Sequence, residues 1–221
     1  MFHIDDIQSG NLKLTSLLSH RVTKSLPLNQ FTMMFLNDDN GIEIEDADQL
    51  IEAIFPKKEA EEYKPSNLLL NEQTFCIAIL KSGIVIACLV ASLTDDEANL
   101  HTLAVDTDYR SKKLGSILLI LMNEVCTKLN ITSASLISSG SGEMLYESFK
   151  FDKLGHNAYQ STLPFNSAVL NNKLDDIKNL YFPPEKKRRS PYPPALETPA
   201  KKPRTDKEKK DAVKENKPRK Q

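Results

Sequence analysis

Between Gln73 and Val105 the chain carries three dense apolar runs separated by short polar breaks. Gln73 to Leu80 and Ile84 to Leu93 are apolar and rich in β-branched residues, which predicts two strands. Lys81-Ser82-Gly83 between them predicts a hairpin loop, with the glycine in the left-handed conformation. Thr94-Asp95-Asp96 is an acidic turn, and Glu97 to Val105 predicts a third strand. Ser116 to Leu129 places Leu118, Leu121 and Val125 on one helical face. Ser133 to Ile137 predicts a further strand. Ser139-Gly140-Ser141-Gly142 is a loop leading into a short helix through Phe149. Phe151 to Leu154 and Ala158 to Phe165 predict a closing strand pair. The resulting order predicts an α/β (α+β) fold, with a central twisted mixed sheet flanked by helices. The sheet is expected to be antiparallel first and parallel around the helix over 116–129.

The flanks are less regular. Phe2-His3-Ile4 suggests a first strand, and Asn11 to Thr23 a helix with Leu12, Leu14, Leu17 and Leu18 inward. Asp46 to Phe55 predicts a helix with Leu50, Ile51 and Ile54 on one face, ended by Pro56. Leu170 to Phe182 suggests one more. After Pro183-Pro184 the composition shifts to Lys, Pro, Glu and Thr, which cannot bury enough apolar surface to order itself. Three regions are expected: a domain over 1–165, a C-terminal helix or linker over 166–184, and a disordered basic tail over 185–221.

Hydrophobic residues make up 40% of the 221 and charged residues 27%, a balance that permits a soluble domain. No apolar run reaches membrane-spanning length and the first residues lack a signal-peptide pattern, so no membrane role is expected. The three cysteines are odd in number and widely spaced, which argues against a disulfide framework or a metal site and for a reducing compartment. The net charge of −1 conceals a split. Residues 185–221 hold 14 Lys/Arg against 6 Asp/Glu, whereas residues 1–184 hold 15 against 24.

The most informative stretch is Leu103 to Ser116. It reads as a strand end, a turn, a basic loop and the start of a helix. Free N–H groups and the positive end of a helix dipole converge there. Gly115 lets a phosphate approach the backbone, and Arg110, Lys112 and Lys113 add positive charge. A pyrophosphate is the natural guest.

The same residues resemble the acetyl-coenzyme A loop of the GNAT acyltransferases, which reads Arg/Gln-x-x-Gly-x-Gly/Ala after an apolar strand. Arg110 and Gly115 match, Ser116 opens the helix, and Lys113 replaces the first glycine. Downstream, Leu145 to Phe151 is similar to a second family segment, with Lys150 where a glycine is usual. The resemblance covers roughly residues 72 to 155. It implies a GNAT-like fold that binds acetyl-CoA as co-substrate. Arg110, Ser111, Lys112, Lys113, Leu114, Gly115 and Ser116 would hold the pyrophosphate, and the backbones of Leu103 and Val105 the pantetheine arm.

In such a reaction an amine attacks a thioester directly. A lysine-like amine is mostly protonated at neutral pH, its reference pKa being about 10.4, so a base is needed. His101 suits that task because imidazole titrates near neutrality. Alternation along the third strand predicts Asn99, His101, Leu103 and Val105 on one face. The string Leu100 to Val105 also resembles that of the arylalkylamine N-acetyltransferases, which carry a second histidine where Asn99 stands. Glu97 is the alternative, acting through water. Tyr146 matches the family tyrosine near the thioester sulfur and would donate a hydrogen bond to a developing thiolate.

The implied activity is N-acetylation of a protein lysine, a protein N-terminus or a small amine. Two alternatives stay open: a GNAT-like module without catalysis, suggested by the lost glycines, and a nucleic-acid- or chromatin-associated protein driven by its tail. The clusters at 186–189 and 201–204, 11 residues apart, have the spacing of a bipartite nuclear import signal read by an import receptor. They predict a nuclear location; without them the cytoplasm is the expectation.

Overall fold

The structure, a computed structural model, describes residues 3–37 and 39–184. The tail expected over 185–221, with its basic clusters, lies outside them. Three short helices open the chain: α1 (Ile4–Gln8), α2 (Leu14–Leu17) and α3 (His20–Ser25). Then follow β1 (Thr32–Leu36), α4 (Gly41–Ile54), α5 (Lys57–Tyr63) and α6 (Pro65–Leu68). The central hairpin and its neighbour are β2 (Thr74–Lys81), β3 (Ile84–Thr94) and β4 (Glu97–Val105). A short 3-10 turn leads to α7 (Leu114–Lys128), β5 (Ser133–Ile137), α8 (Glu143–Ser148), β6 (Asp152–Lys153), β7 (Ala158–Thr162) and α9 (Ser167–Tyr181).

The seven strands form one sheet in the order β1-β2-β3-β4-β5-β7-β6. Every neighbouring pair is antiparallel except β4 and β5, which run parallel on either side of the α7 crossover. This is the arrangement the order of elements predicts. The turn between β2 and β3 has two residues at positive φ, Ser82 (53°) and Gly83 (85°). That geometry matches the twist of the strands it joins.

The sheet is covered on both faces. On one side Phe75, Ile77 and Leu89 meet Ile117, Leu118 and Leu121 of α7, with Leu174 and Ile177 of α9 in the same cluster. On the other side Cys76, Cys88, Val90 and Ala104 meet Ala47, Leu50 and Ile51 of α4. Double coverage explains why β2 and β3 read as unbroken apolar runs. The three cysteines are buried and unpaired. Burial pushes the thiols of Cys88 and Cys126 up to about 12, so they stay protonated packing groups.

The N-terminal region departs from expectation. Ile4 begins a helix rather than ending a strand, because Asp6 Oδ2 accepts from the His3 N–H at 3.1 Å and two acidic residues occupy the first turn. The single helix expected over 11–23 is broken at Leu18, which is extended (ψ 133°). The Ser19 N–H instead donates to Glu124 Oε2 of α7 at 2.6 Å. Leu14 and Leu17 are buried as expected, while Leu12 and Leu18 are only half-buried. The first strand is β1, which the sequence reading leaves unassigned.

Candidate active site

The β3–β4 register contains the key irregularity. Val90 pairs with Thr102 and Ala91 with Leu100, so His101 is an extra residue, a β-bulge in β4. A bulge resets side-chain alternation, and the single face expected for Asn99, His101, Leu103 and Val105 is therefore divided. Ala98 and Leu100 belong to the α7-side core, so Asn99 between them points to the other face. Beyond the bulge Leu103 and Val105 pack on the α7 side, while Ala104 joins the opposite cluster. Thr102 donates to the Tyr63 carbonyl at 3.0 Å, tying β4 to the end of α5.

The pairing of β4 with β5 runs from Glu97↔Ser133 to Leu100↔Leu136 and stops at the bulge. A cavity of about 440 Å³ opens there. Its walls include Tyr63, Asn99, His101, Ser135, Ile137 and Tyr159. His101 Nε2 lies 2.7 Å from Ser92 Oγ, and Ser135 Oγ donates to Asn99 Oδ1 at 2.7 Å. Desolvation holds the His101 imidazole below its ordinary pKa, so the neutral ring predominates at neutral pH. Glu97, at the start of the same strand, accepts from Gln160 Nε2 at 3.4 Å and does not line the cavity.

The basic loop lies beyond the other end of β4. At the start of α7 the Ile117 N–H donates to the Lys113 carbonyl (3.0 Å), which leaves the N–H groups of Leu114, Gly115 and Ser116 without a helical acceptor. Arg110, Ser111, Lys112 and Lys113 are exposed, whereas the side chains of Leu114 and Ser116 are buried and offer only backbone. A Cβ on Gly115 would stand 3.0 Å from Leu145 Cδ2 and 3.6 Å from Leu103 Cδ2. The glycine thus brings β4, α7 and α8 together at one point. A row of free donors beside exposed cations and a bare glycine fits a pyrophosphate. Lys113, at the position of the lost glycine, has φ 58° and Ser111 has φ 66°. The backbone keeps a conformation that glycine adopts most readily.

Tyr146 lies in a second layer. It is 7% exposed, and its ring contacts Phe151 and Tyr159 at centroid distances of 5.7 and 6.1 Å. Tyr159 lines the cavity and Tyr146 does not. Burial raises the Tyr146 phenol well above its ordinary pKa, so it keeps its proton. Its place is fixed by the end of α8: Phe151 N–H donates to the Tyr146 carbonyl (3.1 Å) and Lys150 N–H to that of Glu147 (3.0 Å). This is a Schellman closure with Lys150 at φ 65° in the usual glycine position.

The sequence does not single out Ser92 or Ser135, which meet His101 and Asn99 across neighbouring strands, nor Tyr63, whose carbonyl accepts from Thr102. The spacing of the β3–β4 hairpin was the one available signal, because it sets Ser92 opposite Asn99.

Residues 43–141 match the acetyltransferase (GNAT) family, a span that includes the hairpin, the bulged strand, the basic loop and α7. Over this span the chain is similar to the GNAT family. Tyr146 falls just past the matched span. No curated protein matches the chain in sequence. Among solved structures it is similar to GCN5 of Tetrahymena, at 16% identity and a TM-score of 0.53, over 60% of this chain and 96% of that one. It is also similar to a protein assigned to the GNAT family from Desulfovibrio desulfuricans, at 12% identity and a TM-score of 0.51, over 59% and 99% of the two chains. At these identities the likeness is one of fold.

Proposed function

We propose that the chain is an acetyl-CoA-dependent N-acetyltransferase acting on a primary amine of a protein lysine, a protein N-terminus or a small molecule. The observation that carries this reading is the N-terminus of α7. Three backbone donors without helical acceptors lie beside Arg110, Lys112 and Lys113, within the span similar to the GNAT family. Residues 110–116 would hold the pyrophosphate of acetyl-CoA, and the free edge of β4 past the bulge, at Leu103 and Val105, its pantetheine arm. The bound co-substrate supplies an acetyl group already activated as a thioester.

The chain's own residues then manage protons. The acceptor enters the cavity beside His101. With Nε2–H donating to Ser92 Oγ, Nδ1 carries the free lone pair that takes the amine proton. Tyr146 keeps its hydroxyl proton and donates toward the leaving sulfur. Glu97 is the alternative base, reached through water. Residues 186–204 are proposed to serve nuclear import, which deletion of the two clusters from a fluorescent fusion would test.

Thiol release from acetyl-CoA, followed against a panel of peptide and small amines, tests the reading. Turnover that falls about 100-fold or more in His101→Ala is expected for loss of a general base. CoA binding without thiol release for any amine would make the chain a non-catalytic module.

A further inference from the structure

α9 reaches the basic loop through two side chains. Tyr181 Oη donates to the Lys112 carbonyl at 2.6 Å, and Asp176 Oδ2 lies 3.3 Å from Lys113 Nζ. The helix is itself anchored, with Leu174 and Ile177 buried in the main core. The Tyr181 ring meets Phe31 edge-on at a centroid distance of 5.8 Å. The hydroxyl is therefore presented from a fixed ring on a fixed helix.

The loop needs such support. Lys113 caps α7 at φ 58°, and its Cβ disfavours that backbone. The N–H groups of Leu114, Gly115 and Ser116 share one direction only while the helix starts there. Lys112 C=O and Lys113 N–H belong to one planar peptide group. Tyr181 fixes this plane, and the Ile117 N–H bond to the Lys113 carbonyl fixes the next one, so the two together restrict the torsions at Lys113. The ion pair contributes less. Both its side chains are substantially exposed, 42% and 53%, and an exposed pair is screened. It also ties up an ammonium group that a phosphate would want.

We infer that Tyr181 is a positioning residue for acyl-CoA binding, holding Lys113 in the left-handed conformation that a glycine would otherwise supply. This rests on the reading of residues 110–116 as the cofactor loop.

The test uses the full chain and four proteins: wild type, Tyr181→Phe, Lys113→Gly and the double variant. Calorimetric titration with coenzyme A reads affinity, and amide hydrogen exchange over 111–117 without ligand reads the loop itself. Tyr181→Phe is expected to weaken coenzyme A binding about five-fold, the effect of one lost hydrogen bond. It should also speed loop exchange while leaving the thermal midpoint within a few degrees. Lys113→Gly removes a cation and is expected to weaken binding by itself, but in that background Tyr181→Phe should cost less than about two-fold more, because glycine meets no Cβ penalty there. A Tyr181→Phe protein with unchanged loop exchange overturns the inference, and so does an equal loss of affinity from Tyr181→Phe in the wild-type and Lys113→Gly backgrounds. If the wild type takes up no coenzyme A, the cofactor reading fails. The exchange measurement still decides whether Tyr181 holds the loop.

Discussion

His101 Nε2 and Ser92 Oγ stand 2.7 Å apart across the β3–β4 hairpin, at the extra residue in β4. The serine is the histidine's only hydrogen-bond partner among the described residues, so Nδ1 has no protein partner there. Desolvation lowers the His101 pKa. The acid limb of kcat/KM is therefore expected below pH ~6.5, the ordinary histidine value. The sign for stability follows from linkage. Below pH ~6.5 the unfolded chain takes up the proton first, so this histidine destabilises the fold as pH falls further and has no such effect above. A pH–rate profile of wild type and Ser92→Ala checks the assignment. Ser92→Ala should lose several-fold in kcat while keeping its KM for acetyl-CoA.

Lys150 offers a test of local backbone strain. It stands at φ 65° in the closure of α8, where its N–H and that of Phe151 satisfy the last carbonyls. Lys150→Gly removes the Cβ from a left-handed residue but frees the unfolded chain. A net gain of about 1 kcal/mol or less is expected. For a domain of this size that corresponds to about 2–4 °C in thermal midpoint. Since the same closure seats Phe151 against Tyr146, activity should be unchanged.

Tyr146 itself separates binding from chemistry. Its phenol is buried and held protonated, so Tyr146→Phe keeps the ring contacts with Phe151 and Tyr159 and removes only the donor. The expected outcome is a fall in kcat with unchanged coenzyme A affinity, read by steady-state kinetics beside calorimetry.

Asn123 checks the packing account away from the site. Its Oδ1 accepts from the Phe165 N–H at 2.7 Å, in the core side of α7. Asn123→Ala strands that donor and should destabilise the fold by about 1–3 kcal/mol. Denaturant unfolding measures this, and coenzyme A affinity should not change.

What could be read from the chain and what could not divides along physical lines. The bounds of β4 and β5 are legible because short apolar runs are punctuated there by Asp95-Asp96 and by Asn130. The basic loop is legible because its chemistry is local: a glycine and three cations at a helix start. β1 is not, since five residues with two methionines carry no clear strand signal without their partner β2. The face of Leu103 and Val105 is not, because one inserted residue leaves no mark on the pattern yet inverts alternation beyond it. Tyr63 and Tyr181 join the site through contacts distant in sequence, which no periodicity reports.

The central claim is that residues 110–116 hold acetyl-CoA. Calorimetric titration of acetyl-CoA into the full chain, beside Gly115→Glu, tests it most directly. The new Cβ would stand 3.0 Å from Leu145 Cδ2, so the added side chain must push α8 from the start of α7 and bring a negative charge beside the free N–H groups. The account expects one saturable site in the wild type and affinity at least ten-fold weaker in the variant, about 1.4 kcal/mol or more. No binding by the wild type, or equal binding by both proteins, would contradict it.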